Sequence, residues 1–268
     1  MGFLSEVLRE NAVAVRDPRY LAGLPPRGPP TRPSLRQAIE NGREAGSILV
    51  EYKRVSPGQV DPTLPARTVS QFVRETAQPS VVGYSCLATG PRFHGAPHDV
   101  LDLTRFSRRP VLFKDFVVEE RQLDAAERSG ASAVLLIARL ATEGYLERSL
   151  ADLALAAHRR GLEVLLEFHA EAELSQAEGV AADVFGVNVR DLDSLVLERA
   201  VAAVTLKQAH DAGLRPLLGL SGVEGPAEAD QFWAAGADGI LVGTAVARSP
   251  RPAELIASLR RPDHRGPG

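Results

Sequence analysis

The sequence predicts a closed (β/α)₈ barrel, and three observations carry that reading. Eight short runs rich in Val, Ile and Leu recur from residue 47 onward. Segments of helical period separate them, and the runs are apolar on both faces, as strands of a buried parallel sheet are. Eight such units in about 210 residues match the length that a single α/β barrel fills. A doubly wound open sheet is the structural alternative. No GxGxxG follows the first strand, which weakens its dinucleotide-binding form.

Taken in order, residues 3–14 form a short amphipathic helix with Phe3, Leu4, Val7 and Leu8 on one face. LAGLPPRGPPTRPS (21–34) is too rich in proline for a helix and runs extended over the surface. A second short helix covers about 34–43. These pieces make residues 1–46 an N-terminal extension packing on the barrel of residues 47–260. The strands are SILVEYK (47–53), SVVGYSCL (80–87), PVLFK (110–114), SAVLLIA (132–138), LEVLLEF (162–168), DVFGVNV (183–189), LRPLLGL (214–220) and DGILVG (238–243). Helical segments include 119–130, 146–161 and 227–237, several closed by a Gly suited to the C′ position. The tail 261–268 is expected to be disordered.

Composition narrows the function. A net charge of −3 argues against a nucleic-acid or membrane partner, yet leaves room for a small anion in a locally basic pocket. Cys86 is the single cysteine, so neither a disulfide framework nor a cysteine metal cluster is expected. The first apolar stretch contains acids, unlike a signal peptide, and no uncharged run approaches a membrane span. A cytoplasmic protein, monomeric or weakly homo-oligomeric, is the expectation.

Strand C-terminal ends line the active site of a barrel. Strand one ends in Glu51-Tyr52-Lys53, and period two puts Glu51 and Lys53 on one face. Strand three ends in Lys114, strand five carries Glu167, and strand six gives Asn188 and Arg190. One charge at a strand end is more often the start of a solvated loop, and a Glu–Lys pair can be a structural bridge. Two glutamates and two of the chain's three lysines converging on one rim are harder to dismiss. The chain writes Arg almost everywhere else, and only lysine has an amine whose proton is removable near neutral pH. Lys53 and Lys114 are therefore proton-transfer candidates, whereas Lys207 reads as a solvated surface residue. Ser221-Gly222 and Gly243-Thr244, after strands seven and eight, offer backbone N–H groups to a phosphate.

With these residues in place, the chain resembles the indole-3-glycerol phosphate synthase family from about residue 3 to 260. The resemblance rests on EYKRVSP (51–57), on KDF (114–116) within FKDFVVEERQLDAAERSGASAVLLI, and on LLEFH (165–169). NVRDLDSL (188–195), SGV (221–223) and GADGILVG (236–243) complete it. It implies a phosphorylated small-molecule substrate, an anthranilate-linked open-chain deoxyribulose phosphate. This closes to indole-3-glycerol phosphate with loss of carbon dioxide and water, and no metal or organic cofactor is implied.

By family role, Lys114 is the general acid that protonates the ketone. Glu167 and Lys53 serve the later proton transfers, in an order the sequence leaves open. Glu51 holds the lysines and Asn188 binds substrate or intermediate. Ser56 and Arg190 take the anthranilate carboxylate, and Ser221, Gly222, Gly243 and Thr244 the phosphate. Phe93, Phe116, Leu135, Leu192 and Leu195 wall the aromatic ring, with Phe3 as a lid, although each taken singly is more readily core. Four positions depart from the family pattern: Leu220 where a glutamate is usual, Ala88-Thr89 after strand two, Gly58, and FHGAP (93–97). Loss of an acid at 220 is expected to lower a neighbouring lysine's pKa. These departures make a divergent phosphate-binding barrel, or a non-catalytic paralogue, the alternative.

Overall fold

The computed structural model describes residues 2–56, 61 and 63–264. Eight strands close into one parallel barrel in sequence order: β1 (Ser47–Tyr52), β2 (Val81–Leu87), β3 (Val111–Lys114), β4 (Ala133–Ile137), β5 (Glu163–Phe168), β6 (Val184–Asn188), β7 (Leu217–Leu220) and β8 (Gly239–Val242). β8 closes the ring on β1, with Leu49 opposite Leu241 and Val50 opposite Val242. The sequence places all eight strands within a few residues of these bounds. Helices α1 (Phe3–Arg16) and α2 (Leu35–Gly42) precede the barrel. Around it lie α3 (Val69–Thr76), α4 (Pro97–Phe106), α5 (Glu120–Arg128), α6 (Ala138–Thr142), α7 (Leu150–Arg159), α8 (Arg199–Asp211), α9 (Pro226–Ala234), α10 (Thr244–Arg248) and α11 (Pro252–Ser258). The β5–β6 crossover contains a 3-10 stretch, Glu171–Ala177, in place of an α-helix.

Side chains alternate along the strands and divide the apolar core in two. Ile48, Val50, Val134, Leu136, Val164 and Leu166 face the surrounding helices. Leu49, Leu112, Leu135, Leu165, Leu218, Leu220 and Leu241 fill the barrel interior, so it is packed rather than hollow. Both N-terminal helices belong to that interior core: Leu4, Val7 and Leu8 of α1 at the top, Leu35 and Ile39 of α2 at the bottom.

The proline-rich segment joins these two plugs as a strap along α5. Arg121 donates to the Asp17 carbonyl near the top of α5. Arg128 donates to the carbonyls of Leu21, Leu24 and Pro25 at its other end. Arg32 then reaches the carbonyls of Glu127, Arg160 and Gly161. Prolines break the helical pattern here and leave carbonyls that arginine forks can bind.

At the bottom, Glu163 of β5 caps α2. It accepts from Leu35 N at 2.7 Å and Arg36 N at 3.0 Å, besides the Ser34 hydroxyl. A carboxylate on the free N–H groups of a helix start is worth on the order of 1–2 kcal/mol. Glu163→Ala is accordingly expected to lower the unfolding free energy by about that amount in a urea titration, while turnover stays unchanged.

Residues 261–264, expected to be disordered, are held in place. Arg261 donates to the Ala237 carbonyl and lies over the Trp233 ring at 5.2 Å, and Pro262–His264 makes a 3-10 turn. Residues 265–268 lie outside the described residues, as does Gly58. Among the described residues no helix is long and apolar enough to cross a membrane, and no group of three or more His, Cys, Asp or Glu is placed to hold a metal ion.

Candidate active site

The end of β1 builds the centre of the site. Glu51 is 4% exposed and points into the barrel mouth. One carboxylate oxygen lies 3.1 Å from Lys53 Nζ and the other 3.5 Å from Lys114 Nζ, with the Ser85 hydroxyl also at 3.5 Å. Gly243 makes room for this pair. A Cβ there would stand 2.8 Å from Glu51 Oε1 and 3.1 Å from Lys53 Nζ, so the β8 loop admits no larger residue without moving the pair. Arg54 turns to the opposite face, as alternation requires. It pairs with Asp99 and covers the Tyr52 ring at 5.6 Å.

Across the mouth, Asn188 Nδ2 donates to Glu167 Oε1 at 3.0 Å, and Arg190 N donates to Asn188 Oδ1 at 3.0 Å. The other Glu167 oxygen is buried without a hydrogen-bond partner among the described residues, an acceptor or acid left available to a ligand.

Burial and neighbours drive the four titratable groups apart. Burial opposes the charge on Glu51, but Lys114 and Lys53 outweigh it and hold the carboxyl down at about 2. Burial also pushes Lys53 below its ordinary range, because Glu51 offsets only part of it and Lys114 and Arg190 repel. Lys114 suffers the same burial, yet Glu51 and Glu167 together more than compensate, so its pKa is raised. Glu167 is raised by burial, with Lys114 and Asn188 pulling only part of the way back. The two lysines thus shift in opposite directions, Lys53 down and Lys114 up. Burial is the largest cause of the Lys53 shift, and Lys114, in the same cleft as Leu220, moves the other way.

Two cavities meet at Lys114. A cleft of about 520 Å³ is lined by Glu51, Lys53, Lys114, Arg190, Leu220, Ser221, Gly222, Gly243, Thr244 and Arg248, among others. Ser221 and Gly222 both have positive φ, +66° and +72°, which turns the β7 loop along this cleft. A small pocket of about 30 Å³ lies on the other side, walled by Phe116, Leu135, Ile137 and Leu192 around Lys114, Glu167 and Asn188. Arg190 therefore shares the cleft with the phosphate candidates, and Ser56 joins that side through its hydroxyl, 2.8 Å from that of Thr244. Phe93 lies above the small pocket, 6.0 Å from Phe116 and 6.2 Å from Phe3 of α1. Leu195 lines neither cavity. It has φ +60° and serves through its carbonyl, which accepts from Arg190 at 2.6 Å. Lys207 pairs with Asp211 on exposed α8, away from the site.

Residues 11–259 match the family model described as indole-3-glycerol phosphate synthase. The chain belongs to that family. An indole-3-glycerol phosphate synthase from Exiguobacterium sibiricum is 35% identical over 218 residues, covering 81% of this chain and 82% of the relative. One from Aeropyrum pernix is 36% identical, covering 85% of each. One from Methanopyrus kandleri is 32% identical over 97% of each. Among solved structures, thiamine phosphate pyrophosphorylase from Pyrococcus furiosus aligns with a TM-score of 0.56 at 16% identity. It covers 82% of this chain and 95% of its own, and that likeness shows the barrel alone.

Sequence reasoning passed over three residues of the site. Asp115, next to Lys114, is buried and accepts four hydrogen bonds. His169, two residues after Glu167, bridges the Asn188 carbonyl and Glu198, each at 2.8 Å. Glu173 accepts from His169 N at 2.7 Å. Asp115 and His169 stand inside the KDF and LLEFH motifs, which was the available signal. Glu173 had none.

Proposed function

We propose that this chain closes the anthranilate-linked deoxyribulose phosphate to indole-3-glycerol phosphate, a carboxy-lyase reaction, and that the residues at the barrel mouth perform it. The observation that carries the residue assignment is Glu51 bonded to both Lys53 and Lys114, facing Glu167 and Asn188 across the mouth. The substrate has a phosphate at one end and an aryl carboxylate at the other. The cleft with Ser221, Gly222, Gly243 and Thr244 suits the phosphate, and Phe116, Leu135 and Leu192 offer the ring apolar walls, with the pocket of about 30 Å³ between them having to widen to admit it. Lys114 lies where the two meet, which is where the ketone carbon has to sit.

As the carboxyl-bearing ring carbon attacks the ketone carbon, negative charge develops on the ketone oxygen, and the Lys114 ammonium supplies its proton. The C–C bond to the carboxylate then breaks, carbon dioxide leaves, and its bonding electrons restore the aromatic ring. Dehydration needs an acid for the leaving hydroxyl and a base for the methylene proton beside nitrogen. Glu167, raised by burial, fits the acid, and Lys53, lowered by burial, fits the base. Arg190 and Ser56, expected at the ring carboxylate, stand instead on the phosphate side of the mouth and fit the phosphate, and Asn188 orients Glu167.

Purified protein mixed with the substrate is expected to release carbon dioxide and the fluorescent indole product in equal amounts. It is likewise expected to restore growth without tryptophan to an auxotroph lacking this step. Normal substrate binding with no product would sink the reading.

A further inference from the structure

The site contains a carboxylate that the chemistry above leaves unused. Asp115 follows Lys114 directly and is 2% exposed. Its Oδ1 accepts from Thr89 Oγ1 at 2.8 Å, from Phe116 N at 2.9 Å and from Asn11 Nδ2 at 3.1 Å. Its Oδ2 accepts from Gln122 Nε2 at 2.9 Å. The donors come from four places in the chain: α1, the loop after β2, the residue after Asp115 itself, and α5.

Two of these donors are themselves held by further contacts. Gln122 cannot turn its amide round, because its Oε1 already accepts from Val118 N and Glu119 N while its Nε2 also serves the Phe116 carbonyl. Asn11 Nδ2 likewise donates to the Phe116 carbonyl as well as to Asp115. The strand end that presents Lys114 and Phe116 is therefore gripped on both sides, by α5 and by the N-terminal helix.

The geometry points to Asp115 as a positioning residue for the Lys114 ammonium, with Asn11 making the N-terminal helix a working part of the active site. A residue held by four hydrogen bonds fixes the next one along the strand, and a displacement of about 1 Å at a proton donor costs up to ~10²-fold in rate. Burial opposes the Asp115 charge, so each donor that is lost makes the carboxylate harder to keep ionised. The inference rests on the reading of Lys114 as the general acid, but one of its two readouts does not.

Two variants each remove one donor to Oδ1, Asn11→Leu in the helix and Thr89→Val in the loop. For each, kcat is expected to fall roughly tenfold with KM within about twofold, at a temperature where melting curves show the variant fully folded. The second readout is competitive amine labelling followed by mass spectrometry. It needs no turnover, and the chain's three lysines make it simple to read. Lys114 drawn away from Glu51 and Glu167 loses the charges that raise its pKa, so it is expected to label faster in both variants. Lys207, exposed on α8, is the unchanged reference. Unaltered kcat and labelling alongside a lower melting temperature would make the network merely structural and overturn the proposal. A rise in KM with kcat unchanged would overturn it too, leaving α1 as a substrate cover. An inactive wild type with faster Lys114 labelling in the variants fails the proposed function and leaves the positioning role standing.

Discussion

Lys114→Ala is expected to abolish turnover, lowering kcat by ~10³-fold or more, because no other group in the site can do what it does. The step needs a proton donor that is charged before the ketone oxygen becomes negative. Lys114 meets this requirement, since Glu51 and Glu167 outweigh burial and raise its pKa. Lys53 is less securely charged, since burial outweighs Glu51 and lowers its pKa. Lys114→Arg is expected to be nearly as poor. Guanidinium keeps the charge but does not give up its proton, and its planar fork does not fit where a single Nζ stands 3.5 Å from Glu51. The signs also order the pH profile. As pH rises, Lys53 is the first of the two to lose its proton, and Lys114 stays an ammonium beyond its ordinary range. In single-turnover measurements, Lys114→Ala is expected to bind substrate and produce no indole fluorescence at any pH. Residual turnover within tenfold of the wild type would remove Lys114 from its role.

The parts of this site that were legible in the sequence are those governed by local rules. Alternation along a strand is enough to put Glu51 and Lys53 on one face and Arg54 on the other. The position of Lys114, Glu167 and Asn188 at strand ends follows once eight strands are counted. The scarcity of lysine marked Lys53 and Lys114 before any geometry was known. What stayed hidden depends on distance in space. Asn11 reaches Asp115 across 104 positions, and only the folded strap along α5 places α1 over the mouth. The opposite pKa shifts of two neighbouring lysines depend on how far carboxylates offset burial, and only Lys114 has Glu167 as well as Glu51, a difference no spacing reveals. Leu195 looked like a ring wall because it is apolar, whereas its backbone carbonyl is what the site uses. Leu220 was conspicuous as a departure. In the fold it lies beside Asn188 in register and fills the interior over Gly186, where a Cβ would come within 2.8 Å of it.

That leucine sets the size of the remaining effect. Glu51→Gln keeps the shape of the side chain and removes its charge, leaving Lys53 and Lys114 buried with Glu51 no longer pairing them. With Leu220 on β7, no acid from that strand stands in for the lost one. Breaking a buried pair by deleting one partner costs about 3–5 kcal/mol. The depression of Glu51 to about 2 from the ordinary 4.5 gives a similar ~3 kcal/mol. The sign follows from the direction of that shift. A depressed carboxylate contributes its stability above its ordinary pKa and loses it as pH falls toward the folded value. Urea titrations are therefore expected to separate wild type from Glu51→Gln at pH 7 and to converge between about pH 4.5 and 2. Turnover should fall by ~10²-fold or more, because Lys53 loses its anchor and Lys114, the proton donor, loses one of the two carboxylates that raise its pKa. Adding Leu220→Glu to this variant returns a carboxylate to the same cleft from the other side, since residue 220 lines it with both lysines. Partial recovery of stability and rate is the expected result. A double variant no better than Glu51→Gln would mean that the position of the charge, and not its presence near the lysines, is what Glu51 supplies.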